Sequence, residues 1–136
     1  MRISDIFEEI KSTSKSTEKA VIMRANSDNE IFKKALVYST NPFKPFHVTK
    51  VPKVKLRLEF PFGEKDAWKE FFRVLDLCAD RKVTGNSAID LLHAAFSSFK
   101  QQDEAWMRRI LKKHLNCFSW VSLYKSKLTS FVSFHR

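Results

Sequence analysis

The stretch Ala67-Trp68-Lys69-Glu70-Phe71-Phe72-Arg73-Val74-Leu75-Asp76-Leu77-Cys78 carries Trp68, Phe71, Phe72, Leu75 and Cys78 at intervals of three and four residues. That spacing puts all five on one face, so the periodicity predicts a helix from about Lys65 to Asp80, and the bulk of its rings makes it the central core element. Arg81-Lys82-Val83-Thr84-Gly85-Asn86 breaks the pattern, after which Ile89, Leu92 and Phe96 recur on one face of another helix, with Thr84 or Asn86 as its cap. Trp106, Met107, Ile110, Leu111 and Leu115 mark one more.

Working outward, Ile3, Ile6, Phe7 and Ile10 predict a short amphipathic helix over about residues 3 to 11, and the polar run Ser12 to Thr17 interrupts it. Ala20, Val21, Met23 and Arg24 continue a helical segment to about Ala25, and Asp28 is the expected N-cap of a helix whose stripe is Ile31, Phe32, Ala35 and Leu36, ending near Ser39. Pro42, Pro45, Pro52 and Pro61 then exclude helix interior from the following twenty residues. This connector places Lys44, Lys50, Lys53, Lys55 and Arg57 among Phe46, Val48, Val51, Val54 and Leu56, with no acidic residue between Lys44 and Arg57. Ser119 to Leu128 predicts a final short helix before a tail containing Phe131, Phe134, His135 and Arg136. The expected fold is all-α, a single compact bundle of about six or seven short helices with one Pro-rich basic connector.

The chain has 136 residues, of which 43% are hydrophobic and 13 are Phe, enough for one core and one domain. Lys and Arg number 25 against 15 Asp and Glu, a formal charge of +10 that calls for a polyanionic partner. No apolar run reaches the roughly 18 residues of a membrane span, and the acidic first helix has no signal-peptide pattern, so no membrane association and a cytoplasmic localisation are expected. Cys78 and Cys117 sit among apolar residues, as reduced core thiols do. Gly63 and Gly85 are the only glycines, which excludes Gly-rich phosphate-cradling loops. His47, His93, His114 and His135 lack metal-ligand spacing with the cysteines, and no nucleophile motif or paired carboxylates support catalysis. No metal, cofactor or enzymatic activity is therefore expected.

Three basic clusters remain as candidates for contact with a phosphate backbone. Arg81, Lys82, Thr84, Gly85 and Asn86 form a turn at a helix N-terminus, where unpaired N–H groups and the helix dipole favour anions. Taken alone, such a turn is as well explained by interhelical geometry, with Gly85 at positive φ. Lys50, Lys53 and Lys55 lie on the connector. Arg108, Arg109, Lys112 and Lys113 are expected to share one arc of the Trp106 helix opposite its apolar stripe. Any one cluster has an ordinary reading as a solvated surface; their coincidence in one small domain favours binding.

Three segments carry a family resemblance: Ser27-Asp28-Asn29-Glu30-Ile31-Phe32-Lys33-Lys34-Ala35-Leu36 with Tyr38 and Asn41-Pro42-Phe43 after it; Ala79 through Ile89; and Arg108 through Cys117. In order and spacing they resemble the N-terminal DNA-binding domain of phage ATP-dependent DNA ligases of the T-even type, across roughly residues 1 to 128, with 129 to 136 as a divergent tail. The resemblance implies a helical bundle that grips duplex DNA around a nick through phosphates and the minor groove, with Arg81, Lys82, Thr84, Gly85 and Asn86 in the DNA-facing turn. It also implies a role in DNA repair or replication in an infected bacterial cell. The chain departs from the family in having Cys117-Phe118 for Cys-Gly and in lacking the Lys-x-Asp-Gly motif of the nucleotidyltransferase domain. The expected function is thus a non-catalytic, sequence-nonspecific duplex DNA-binding module. Two alternatives stand beside it. One is a module for a replication, repair or host protein, using Phe118, Trp120, Phe131 and Phe134; the other is the DNA-gripping part of a split or truncated ligase.

Overall fold

The computed structural model describes residues 2–41, 44–58 and 62–113. Among them are six helices and no strand: α1 (Ile3–Lys11), α2 (Ser16–Ala25), α3 (Glu30–Thr40), α4 (Glu64–Ala79), α5 (Gly85–Ser97) and α6 (Gln101–Leu111). The expected helix over Ser119–Leu128, the remainder of the Trp106 stripe at Leu115, both Cys117 and His135, and the aromatic positions Phe118, Trp120, Phe131 and Phe134 lie outside the described residues.

Where apolar spacing is strict, the helices fall where the sequence predicts them. In α1 the side chains of Ile3, Ile6, Phe7 and Ile10 are all buried. In α4, Trp68, Phe71, Phe72, Leu75 and Cys78 are buried as expected, and Ala67 and Val74 join them. Two boundaries differ. The second helix starts at Ser16, inside the polar run expected to be non-helical, because first-turn N–H groups need no intrahelical partner and Glu18 there suits the helix dipole. The cap of α3 is Asn29 rather than Asp28: Asn29 holds the extended backbone of a cap, and its Oδ1 accepts from Phe32 N–H at 3.2 Å.

Helix α4 packs against α5 and α6, α1 against α2 and α6, and α3 against α6. Aromatic rings bridge these contacts. Phe7 stacks on Trp106 of α6 at 5.0 Å and tilts against Phe32 of α3 at 5.4 Å, while Trp68 meets Phe71 edge-on at 5.9 Å and Phe71 lies 6.1 Å from Phe96 of α5. Such pairs add to plain area burial and favour one relative placement of the helices.

Two carboxylates in the first turn of α6 are also buried, Asp103 at 0% and Glu104 at 7% exposure. Each is paired over a long sequence separation. Arg2 donates to Asp103 at 2.5 Å, and Ile3 N–H donates to Glu64 at 3.0 Å, which joins the start of α1 to α4 and α6. Glu104 receives Arg57 from the connector and Arg108 from its own helix, both at 2.7 Å. Arg57 also donates to the Phe99 carbonyl at 3.0 Å and reaches that of Phe96, while Arg108 donates to the Pro52 carbonyl at 2.5 Å.

These bonds set the course of the connector. Residues 47 to 49 lie beside Gly85, Ala88 and Ile89 at the start of α5, and Leu58 N–H donates to the Ser97 carbonyl at its end. The connector therefore runs along α5, over a helix about 18 Å long at roughly 1.5 Å per residue. Its apolar side chains divide: Phe46 is buried, Val48, Val51 and Val54 pack partly against the core, and Leu56 is exposed.

Replacing Glu104 by Gln is expected to cost about 2–3 kcal/mol of unfolding free energy in urea denaturation. This is less than for a fully buried pair, because the Arg57 and Arg108 side chains keep 34% and 22% exposure.

Candidate nucleic-acid interface

The turn between α4 and α5 ends α4 with two paired hydrogen bonds. Lys82 N–H donates to the Leu77 carbonyl at 2.9 Å and Arg81 N–H to that of Cys78 at 3.1 Å, the Schellman pattern of helix termination. The position that this pattern normally gives to Gly is occupied by Arg81, whose φ is 56°. A side chain there costs roughly 1 kcal/mol. Gly85, at φ 54°, opens α5 in the same left-handed region, and open space surrounds the position where a Cβ would lie. The glycine thus serves the backbone angle rather than a close approach within the chain. Thr84 takes the N-cap position without a side-chain cap bond, and no acidic residue stands in the first turn, so the N-terminus of α5 is presented uncapped by either.

Among the described residues three non-glycine residues have positive φ: His47, Arg81 and Lys113, at 58°, 56° and 58°. All three line one groove of about 770 Å³, together with Pro45, Val51 and Lys112. The groove is where the connector passes between the α4–α5 turn and the end of α6. Arg81 lies 3.3 Å from His47 Nδ1 across it.

The expected site residues divide according to what they touch. Lys50, Lys53, Lys55, Lys82 and Lys112 are exposed and make no ion pair among the described residues. Together with Arg81, Thr84, Gly85 and Asn86, all exposed, they cover the connector, the α4–α5 turn and the end of α6. The expected four-charge arc on α6 does not exist as such. Arg108 is taken up by Glu104 and the Pro52 carbonyl, with its guanidinium 4.8 Å over the Phe96 ring, and Arg109 lies 4.5 Å over Trp106. Lys113 turns inward to donate to the carbonyls of Tyr38 at 2.7 Å and Asn41 at 2.9 Å, its ammonium 4.4 Å from the Phe46 ring. Buried carboxylates, carbonyls at helix ends and aromatic faces give these three cations partners within the bundle, away from the exposed face. Connector cations are drawn in similarly, Arg57 as above and Lys44 onto Asp76 at 2.8 Å.

Asp76 is a hub on the far side of that contact. It accepts from Tyr38 Oη at 2.7 Å; burial works against its charge, but the bonds from Lys44 and Tyr38 and the nearby Lys34 outweigh this and lower its pKa. Tyr38 is raised by burial and by its bond to Asp76. Burial likewise raises the Cys78 thiol, leaving it an inert core group. The sequence did carry a sign of the inward arginines: Asp103 and Glu104 share a helical face with Trp106, Met107, Ile110 and Leu111, and carboxylates on an apolar stripe must be paired. The part played by His47 had no such sign.

These features define an all-α domain with a basic groove built around strained, cationic backbone positions. Over 121 residues, 89% of this chain, it is 28% identical to the DNA ligase of Enterobacteria phage T4 and equally to that of phage T6. The chain spans about a quarter of the length of these relatives, 25% of each. Two solved structures, Pmar-Lig_Pre. and Pmar-Lig_PreS3, share the fold, with TM-scores of 0.82 and 0.81 at 22% and 20% identity. They match over 98% and 99% of this chain and 31% and 32% of their own. No family model matches the chain. The sequence likeness relates this domain to one part of a phage DNA ligase.

Lys113 yields a pH test. Burial, helped by the charge of Lys44, lowers its pKa from 10.5 to about 8. Between those values the unfolded chain binds more protons than the folded one, so this group's contribution to stability rises with pH from about 8 to 10.5. Urea midpoints taken across that range should show this rise over the background of the other groups. Lys113→Met should flatten it.

Proposed function

We propose that the chain is a non-catalytic module that binds duplex DNA without sequence preference, gripping phosphates along the groove face. The observation that carries this reading is the convergence on one groove of the three left-handed non-glycine residues among the described residues, His47, Arg81 and Lys113, of which Arg81 keeps its guanidinium exposed. Backbone strain persists where the surrounding structure holds it in place, and it clusters at functional sites. A glycine at position 81 would satisfy the turn with less strain; an arginine there makes sense when its side chain is needed.

Charge and form agree. The net charge is +10, and the exposed cations Lys50, Lys53, Lys55, Arg81, Lys82 and Lys112 project from three segments that meet at the groove. The uncapped first turn of α5 adds backbone N–H donors suited to a phosphate. A face about 18 Å long matches roughly five base pairs of duplex, at about 3.4 Å each. Phosphate contacts carry affinity but read no sequence, which suits a domain related to part of an enzyme that acts on DNA breaks wherever they fall. The setting would then be repair or replication of DNA in an infected bacterial cell. A second reading, suggested by the likeness to one quarter of a phage DNA ligase, is the DNA-gripping part of a split or truncated ligase. Added ligation by a separate catalytic polypeptide in the presence of this chain would distinguish it.

Fluorescence anisotropy with a labelled duplex at several salt concentrations tests the proposal. About five to six neutralised phosphates give a slope of log K against log salt near −5. Arg81→Gly should stabilise the fold by about 0.5–1 kcal/mol, by relieving the left-handed position, and yet weaken DNA binding. A variant both more stable and equally tight in binding would remove Arg81 from the interface. Arg81→Glu with Lys82→Glu should weaken binding to every sequence alike, and an unchanged affinity would contradict the assigned face.

A further inference from the structure

A second groove shares no lining residue with the basic one. Helices α3 and α4 both pack on α6, and between them lies an open groove of about 360 Å³. Ile31, half-buried, and Phe72 form its floor, and the exposed cations Lys34, Lys69 and Arg73 line it as well. Helical spacing accounts for the arrangement. Ile31 and Lys34 lie one turn apart on α3, and Lys69, Phe72 and Arg73 lie three and four residues apart on α4, so each helix turns one face to the groove. Lys34 is placed by two rings, its ammonium 5.6 Å from the Tyr38 centroid and 5.0 Å from that of Phe72.

Two carboxylates, Glu30 and Asp76, also line the groove, and both have partners already. Asp76 takes Lys44 and Tyr38, and Glu30 faces Lys33 at 3.8 Å. Lys34 and Lys69, in contrast, form no ion pair among the described residues. What the groove leaves unanswered is therefore positive charge beside an apolar floor. A phosphate backbone gains nothing from such a floor and is repelled by carboxylates in the lining, whereas a peptide can set an apolar side chain between its own charges. The volume lies near the lower end of the roughly 300–1,000 Å³ of ligand sites, which suits one or two side chains rather than a folded surface.

We propose that the α3–α4 groove docks an acidic peptide segment of a partner protein, seating its apolar side chains on Ile31 and Phe72 and pairing its carboxylates with Lys34, Lys69 and Arg73. Arg73 already pairs with Glu70 on its own helix, so the two lysines carry most of the new pairing. These cations are exposed, and their contribution is accordingly to orientation and on-rate, and it weakens with salt. The apolar contact supplies the part that salt does not remove. The docked segment uses none of the residues that line the basic groove, and the inference stands independently of DNA binding there.

The test titrates the full chain, by fluorescence anisotropy at low and moderate salt, against a short labelled peptide in which Asp and Glu surround a Leu-Phe pair. Saturable binding is expected, weaker at the higher salt. A peptide with Ser-Ser in place of the Leu-Phe pair should bind severalfold more weakly. Lys69→Glu should weaken binding about tenfold, and it should fold normally, because Arg73 stands four residues on and pairs with the new carboxylate. Lys34→Glu added to it should remove the binding. Lys53→Glu with Lys55→Glu, on the connector, should change it by less than about twofold. Thermal melts by circular dichroism confirm that each variant folds. No saturable binding of the peptide at low salt overturns the proposal, as does binding that survives both groove substitutions. Binding lost in the connector variant would make the peptide a mimic of phosphate on the other face, and that too overturns it. If Lys69→Glu weakened duplex DNA binding as much as peptide binding, the groove would be a nucleic-acid surface and the proposal would fall.

Discussion

Glu104 is 7% exposed and lies between two guanidinium groups, Arg57 from the connector and Arg108 one turn further along α6. A carboxylate so placed would destabilise the fold by several kcal/mol if left unpaired; Arg108 takes one of its oxygens and Arg57, brought by the connector, takes the other. Once Arg57 is there, it also occupies the carbonyls of Phe96 and Phe99 where α5 ends, and Arg108 takes the Pro52 carbonyl. A segment with no helix or strand of its own is in this way given a course along α5. The arrangement resembles secondary structure in effect, because backbone groups that would otherwise need water find partners on the bundle. The exposed lysines of the connector then occupy set positions on the bundle surface.

The opposite end of the same seam is fixed by a different device. Lys113 and Arg81 each follow a helix C-terminus in the left-handed conformation, and His47 adopts it on the connector between them. The two cations act differently. Lys113 spends its charge on the last carbonyls of α3 and on the Phe46 ring, holding the connector's start against the bundle. Arg81 keeps its guanidinium exposed beside His47. Both line the groove, the lysine tied to the bundle and the arginine free to reach outward.

Helices were legible in the sequence because their signal is local. The stripes of α1 and α4 are written in residues three and four apart, and both helices lie within a residue of the expected bounds. The irregular connector was equally plain from its prolines. What could not be read was the destination of each charge. Arg108 meets Pro52, Lys113 meets Tyr38, and Arg2 meets Asp103, over separations of 56, 75 and 101 residues. Helical projection places Arg108 and Lys113 with their exposed neighbours; only the packed bundle shows that a carboxylate, a helix end or a ring waits for them. The turn from Arg81 to Asn86 was recognisable as a helix start beside basic residues, whereas its left-handed arginine depends on how α4 ends and is invisible in composition.

The central claim is that one face, formed by the connector, the α4–α5 turn and the end of α6, meets the phosphate backbone. Amide chemical-shift mapping of the isotope-labelled chain against a short duplex tests it most directly. The account predicts perturbations concentrated at Lys50 through Lys55, at Arg81 through Ser87 and at Lys112, with α1 and α2 unaffected. Perturbations centred on α1 and α2, with the groove residues unmoved, would contradict it.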